Sequence, residues 1–221
     1  MNLYLKKKCV IHILLNTELS EVRDMFTGII IDIGVIKKIT KKDEDILLSI
    51  YSSNIKGFTN GMSISCSGIC LTVIDFNKNE TGYIFDVYVS KETLSKTNLG
   101  NLIEGDHINL EKSLSLGDEM SGHIVQGHID GTVKIKNIES IGDSKKFCFT
   151  VDSNLMKFIA PKGSVSLDGT SLTINNVYDS EFEINFIPYT LEHTTWKYRN
   201  IGDLVNIEVD ILARYVLKDG S

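Results

Sequence analysis

The sequence predicts an all-β protein built as two similar six-stranded antiparallel β-barrels, and three observations carry that expectation. The first is an internal duplication. Ser67-Gly68-Ile69-Cys70-Leu71-Thr72-Val73 is answered 101 residues later by Asp168-Gly169-Thr170-Ser171-Leu172-Thr173-Ile174. Lys91-Glu92-Thr93-Leu94-Ser95-Lys96-Thr97 and Gly105-Asp106-His107-Ile108-Asn109-Leu110-Glu111 are answered 97 residues later by Pro188-Tyr189-Thr190-Leu191-Glu192-His193-Thr194 and Gly202-Asp203-Leu204-Val205-Asn206-Ile207-Glu208. A period near one hundred is too long for a solenoid repeat and marks a duplicated domain. The second is a series of short β-branched runs bounded by Gly, Asn and Asp, six or so per half, and closing them into barrels removes exposed sheet edges. The third is the scarcity of helical periodicity.

Taken in order, strands are expected over residues 29–33, 35–39, 46–51, 62–66, 71–76, 83–89 and 107–110 in the first half. The second half repeats the series over 131–138, 146–151, 164–167, 172–177, 181–187 and 204–209. Many of these runs alternate with period two, as half-buried strands do. Short helical segments are expected at 54–58 and 153–159, each behind a polar N-cap candidate, and a turn or short helix at 91–97 and 190–196. Residues 211–218 have helical periodicity over about two turns, too short to stand alone in water, so they should pack on a barrel or a neighbouring subunit. The expected division is an N-terminal extension over 1–24, barrels over 25–121 and 122–210, and a short C-terminal helix and tail over 211–221.

Composition bounds the function. The 221 residues are 42% apolar and 24% charged with a net charge of −6, an ordinary globular profile whose acidity gives no electrostatic reason to bind nucleic acid. A small-molecule substrate is the better expectation. Cys9, Cys66, Cys70 and Cys148 have no framework spacing, which predicts reduced thiols, a cytoplasmic protein and no metal site. Lys6-Lys7-Lys8 before Cys9-Val10-Ile11-His12-Ile13-Leu14-Leu15 faintly resembles a signal peptide, but His12 interrupts the apolar run and no small-residue cleavage site follows. This segment is read as an extension preceding the repeat that opens at Met25. Nothing approaches the ~20 apolar residues of a membrane span.

Chemistry is expected where the duplicate changes atom type. Cys70 follows a glycine and leads a strand, and its copy Ser171 keeps a nucleophile-capable atom at the same place. Inert packing of a cysteine is the alternative. Thr72 and Thr173, two residues on, share the face of Cys70 and Ser171, so each half presents a small polar patch. In Gly122-His123-Ile124-Val125-Gln126-Gly127-His128-Ile129 one of two histidines five apart suits a general acid or base, and a turn histidine bonded to backbone is the equal alternative. Lys162 could meet a carbonyl or an anion. Asp210 at a strand end could orient a base or cap the following helix. No dinucleotide, P-loop, zinc-protease or esterase motif is present.

Met25-Phe26-Thr27-Gly28-Ile29-Ile30, Gly122-His123 through Gly127-His128-Ile129, Ser171-Leu172-Thr173 and Ile187-Pro188-Tyr189-Thr190-Leu191-Glu192 resemble, in the same order, the motifs of the riboflavin synthase family. The resemblance covers about Met25 to Leu217. It implies two six-stranded lumazine-binding barrels and a cofactor-independent dismutation. Two molecules of 6,7-dimethyl-8-ribityllumazine exchange a four-carbon unit, giving riboflavin and a pyrimidinedione. It also implies a homotrimer with sites between subunits. Carried over, the N-barrel ligand contacts are Gly28, Ile29, Ile30, Ser63, Cys70, Leu71, Thr72, Asp86, Val87, Thr93, Gly127, His128 and Ile129. Those of the C-barrel are Lys162, Ser171, Leu172, Thr173, Phe186, Ile187, Pro188, Tyr189, Thr190 and Leu191. The expected roles are proton handling by His128 with Ser171 and Thr173, orientation by Asp210, and Cys70 as nucleophile or hydrogen-bond partner, with the base left open. Ile69 beside Cys70 and the short tail after Asp210 depart from the family pattern. A non-catalytic lumazine- or flavin-binding protein of the same superfamily is the alternative.

Overall fold

The computed structural model describes residues 25–218; the extension expected over 1–24 and residues 219–221 lie outside the described residues. The first half is a closed barrel. Its strands are β1 (Asp32–Lys42), β2 (Asp45–Ser52), β3 (Ser63–Cys66), β4 (Ile69–Lys78), β5 (Tyr83–Val89) and β6 (His107–Lys112), in the circular order β1-β2-β5-β4-β3-β6. Every neighbouring pair is antiparallel. Alternation fills the interior: Leu48 and Ile50 of β2, Phe85 and Val87 of β5, and Ile108 and Leu110 of β6 are fully buried.

The second half uses β7 (Gly131–Ile141), β8 (Ser144–Thr150), β9 (Ser164–Leu167), β10 (Thr170–Thr173), β11 (Asn176–Val177), β12 (Glu181–Phe186) and β13 (Leu204–Val209). Their order β10-β9-β13-β7-β8-β12-β11 repeats the first circuit, but the single strand expected over 172–177 is split. Asn175 interrupts it. Its side-chain oxygen accepts the Asn185 N–H at 2.7 Å, replacing a backbone acceptor of the ladder. The first barrel has a register shift at the matching place, between Val73 and Asp75. The fourth strand of the expected second barrel is therefore two short edge strands of a curled seven-stranded sheet. Its core is aromatic, with Phe147, Phe149, Phe182, Phe186 and Trp196 packed together and the Trp196 indole N–H donating to Thr170 Oγ1 at 3.1 Å.

Three further expectations are corrected. Residues 29–31 precede the sheet, and 35–39 belong to the single long β1, because Gly34 lets Leu110 and Ile50 cross closely: a Cβ at Gly34 would lie 2.6 Å from Leu110 Cδ1. Residues 54–58 form no helix. The Asp32 carboxylate takes the Ser53 and Asn54 N–H groups and the Ser52 hydroxyl, holding the chain in a turn. The remaining helices are short: α1 (Lys91–Lys96), α2 (Ser153–Met156), α3 (Pro188–His193) and α4 (Ile211–Lys218). No side chain of α4 is buried, although Arg214 binds Asp130 in an ion pair.

The barrels meet through two hairpin turns placed back to back. Ser67-Gly68 and Asp168-Gly169 each have φ > 0 at both central residues, the geometry of the tight turn that matches strand twist. A Cβ on Gly68 would lie 2.7 Å from Gly169 N, and one on Gly169 would lie 2.6 Å from Gly68 N. The Nδ2 groups of Asn109 and Asn206 donate across this junction to the carbonyls of Asp168 and Ser67.

Candidate functional site

Each barrel is preceded by a leader segment, and the leaders cross. Residues 26 and 125 pair as an antiparallel bridge, with N–H···O distances of 2.8 and 3.1 Å. From there the leader of the first barrel reaches the second: the Gly28 carbonyl accepts the Ser171 N–H at 2.8 Å. The leader of the second barrel reaches the first, where the Gly127 carbonyl accepts the Cys70 N–H at 3.0 Å. The approach is too close for any side chain. A Cβ at Gly28 would lie 2.6 Å from Ser171 Cβ, and one at Gly127 would lie 2.5 Å from Cys70 Cβ, with φ of +76° and +78°.

Around Cys70 the structure gathers Gly127 and Ile129, whose Cδ1 lies 3.3 Å from the position of a Gly68 Cβ, together with the exposed His128. Ser63 pairs in register with Thr72, and Thr72 is exposed on the Cys70 face, as alternation requires. Asp86 lies on β5 with its side chain outside the barrel, and Ser90 caps α1 by accepting the Thr93 N–H. Leu71 and Val87 turn their side chains into the first core.

The Ser171 pocket is more polar. Here Nδ1 of His123, not of His128, lies 2.7 Å from Ser171 Oγ. Burial pushes the His123 pKa down, and the Asp210 carboxylate opposes that shift. Burial thus favours the neutral imidazole, which shares a hydrogen bond with the Ser171 hydroxyl. Asp210 also caps α4, accepting the Leu212 N–H at 2.9 Å, as its place at the strand end allows. Thr173 is exposed beside Ser171; Lys162 is exposed at a positive φ; Thr190 is half-buried on α3. Ile29, Ile187, Pro188 and Tyr189 are exposed, Ile187 and Tyr189 by 54% and 66%, and Ile30 is half-buried. Leu172, Phe186 and Leu191 are core.

Sequence reasoning missed two residues. Glu111 accepts from Thr27 N–H and Oγ1–H, both at 2.7 Å, and from Gly28 N–H at 3.0 Å. Glu208 accepts from the N–H groups of Gln126, Gly127 and His128 at 2.7, 2.9 and 3.0 Å. The signal was present: a glutamate closes both copies of the repeated Gly105–Glu111 and Gly202–Glu208 stretch. Among the described residues no group of three or more potential ligands could hold a metal ion.

A duplicated β-domain in which the leader of each half pairs with the Cys70 or Ser171 strand of the other defines a class. The family model of the lumazine binding domain matches the chain twice, at residues 27–113 and 126–210. Riboflavin synthase of Brucella abortus (strain 2308) is 45% identical over 196 residues, spanning 88% of this chain and 97% of that relative. Riboflavin synthases of Bacillus subtilis (strain 168) and Schizosaccharomyces pombe (strain 972 / ATCC 24843) are 38% and 40% identical, over 88% of this chain and 89% and 93% of theirs. The chain belongs to the riboflavin synthase family. LumP complexed with riboflavin has the same fold, with a TM-score of 0.74 at 24% identity over 83% of this chain and 98% of that one.

Proposed function

We propose that the protein is a riboflavin synthase, converting two molecules of 6,7-dimethyl-8-ribityllumazine into riboflavin and a ribitylamino-pyrimidinedione. The observation that carries this reading is the pair of like-placed but chemically unequal pockets at Cys70 and Ser171. The reaction joins two identical molecules, one giving four carbons and the other receiving them, so it needs two similar binding sites that treat the same ligand differently. Holding both reactants in register supplies much of the rate, because their freedom is already lost on binding.

In this reading Ser171 and His123 form the proton-handling pair, with Asp210 acting on His123 and Thr173 beside Ser171 as a donor to developing charge. Cys70, between Gly127 and Thr72, contacts the second ring as nucleophile or hydrogen-bond partner, and His128 lines its entrance. The pockets of different chains face one another in a homotrimer in the cytoplasm. Exposed Ile29, Ile31, Tyr88, Ile187 and Tyr189 around the pockets, and Leu212, Tyr215, Val216 and Leu217 on α4, support covering by a second copy.

The test is incubation of the purified protein with the ribityllumazine alone. One riboflavin should form for every two lumazines consumed. Binding without riboflavin formation contradicts the synthase reading in favour of a binding protein.

A further inference from the structure

The two buried glutamates lie outside the pockets, yet each controls the leader that closes the opposite one. Glu208 is on β13 of the second half; it holds Gln126, Gly127 and His128, and the Gly127 carbonyl then fixes the amide of Cys70 on β4 of the first barrel. Glu111, on β6 of the first barrel, holds Thr27 and Gly28, and the Gly28 carbonyl fixes Ser171 on β10 of the second half. Both side chains are buried, 3% and 5% exposed, and each turns to three donors that no other acceptor serves. Three donors converging on the two oxygens of one buried side chain fix each leader at successive groups.

We propose that Glu111 and Glu208 are reciprocal positioning residues: Glu208 of the C-terminal half sets the Cys70 pocket of the N-terminal barrel, and Glu111 of the N-terminal barrel sets the Ser171 pocket. This rests on the reading of the two pockets as the ligand sites. The glutamates touch no substrate. They act through the two glycines, whose peptides form a wall of each pocket, and the crossing makes the effect of each substitution appear in the other barrel.

The experiment uses Glu208→Gln and Glu111→Gln in the full chain, with riboflavin as the probe. The Cys70 pocket is read by alkylation of Cys70 with N-ethylmaleimide, followed by peptide mass mapping, at increasing riboflavin. The Ser171 pocket is read by the shift of the His123 imidazole resonances. Glu208→Gln should raise the riboflavin needed for half-protection of Cys70 about tenfold while leaving the His123 titration unchanged, and Glu111→Gln should do the reverse. Equal weakening of both pockets in both variants, or a lowered unfolding temperature with both titrations unchanged, gives the glutamates a structural role and overturns the proposal. If the Gln variants do not fold, amide exchange in the unmutated protein decides: slow exchange at Gly28, Gly127 and His128 is expected, and exchange at the rate of exposed loops overturns it. Failure of riboflavin to protect Cys70 in the unmutated protein also overturns it. Riboflavin formation from the lumazine is scored separately, so loss of the synthase reading and loss of the positioning proposal give different results.

Discussion

The two halves share a strand circuit but differ in what closes it and in what their pockets can do. The N-terminal barrel is continuous and its core is mainly aliphatic; the C-terminal half splits one strand at Asn175 and packs around Trp196 and four phenylalanines. At the matching position one half carries Cys70 against Gly127, and the other carries Ser171 against Gly28 and hydrogen-bonded to His123. A duplicated scaffold thus delivers a thiol and a hydroxyl to equivalent places, and the leaders give them unequal surroundings. Difference of function here arises from a few side chains at the crossing, with the barrels acting as common support.

The largest effect is expected where the leaders touch the strands. Gly127→Val and Gly28→Val place a side chain within 2.5 to 2.6 Å of Cys70 and Ser171 in a backbone region that penalises it. Denaturant titration should find a loss of about 2–4 kcal/mol with turnover abolished. Wild-type stability in either variant would mean that the crossing is not as close as described.

Next is the chemical inequality itself. Ser171→Ala should lower kcat by about a hundredfold and leave unfolding free energy within about 1 kcal/mol of the parent, measured by steady-state kinetics beside urea titration. Cys70→Ser makes the reactive atoms alike and should cost less, on the order of tenfold in kcat, if the thiol orients rather than adds to the ring. A loss matching that of Ser171→Ala assigns the thiol a covalent part.

His123 separates the pockets by pH. Its folded pKa is depressed, so the stability it contributes is present above the unfolded value near 6.5 and is lost as pH falls through the folded value. Acidification should therefore destabilise the parent more than His123→Gln, and the acid limb of kcat/KM should vanish in the variant. An unchanged acid limb would move the base elsewhere.

The subtlest contrast is between the glutamates. Burial raises Glu111 and lifts Glu208 to about 7 against the pull of their N–H donors. A raised carboxyl contributes stability below its unfolded value near 4.5 that is lost as pH rises through the folded value. Between pH 4.5 and 7 the parent should thus lose stability relative to Glu208→Gln, measured as the pH slope of the unfolding temperature. A flat difference contradicts the shift.

Much of this was legible in the sequence. The doubled Ser67–Val73 and Asp168–Ile174 stretches showed the like placement of Cys70 and Ser171 and the threonines on the same face, because strand alternation acts locally. The break at Asn175 was hidden, since a side chain replacing a backbone acceptor depends on Asn185 lying opposite. His123 and His128 could not be told apart by spacing. Which of them meets Ser171 depends on a contact between residues 48 apart in sequence. Glu111 and Glu208 were visible as a repeated pair, but their donors lie 80 or more residues away in sequence.

The central claim is that one chain holds two unequal pockets for the same ligand. Equilibrium titration with riboflavin, followed by fluorescence quenching and by the Cys70 and His123 reporters together, tests it directly. Two binding events per chain with different affinities are predicted, one tracking each reporter. A single event, or two of equal affinity moving both reporters alike, would contradict the account.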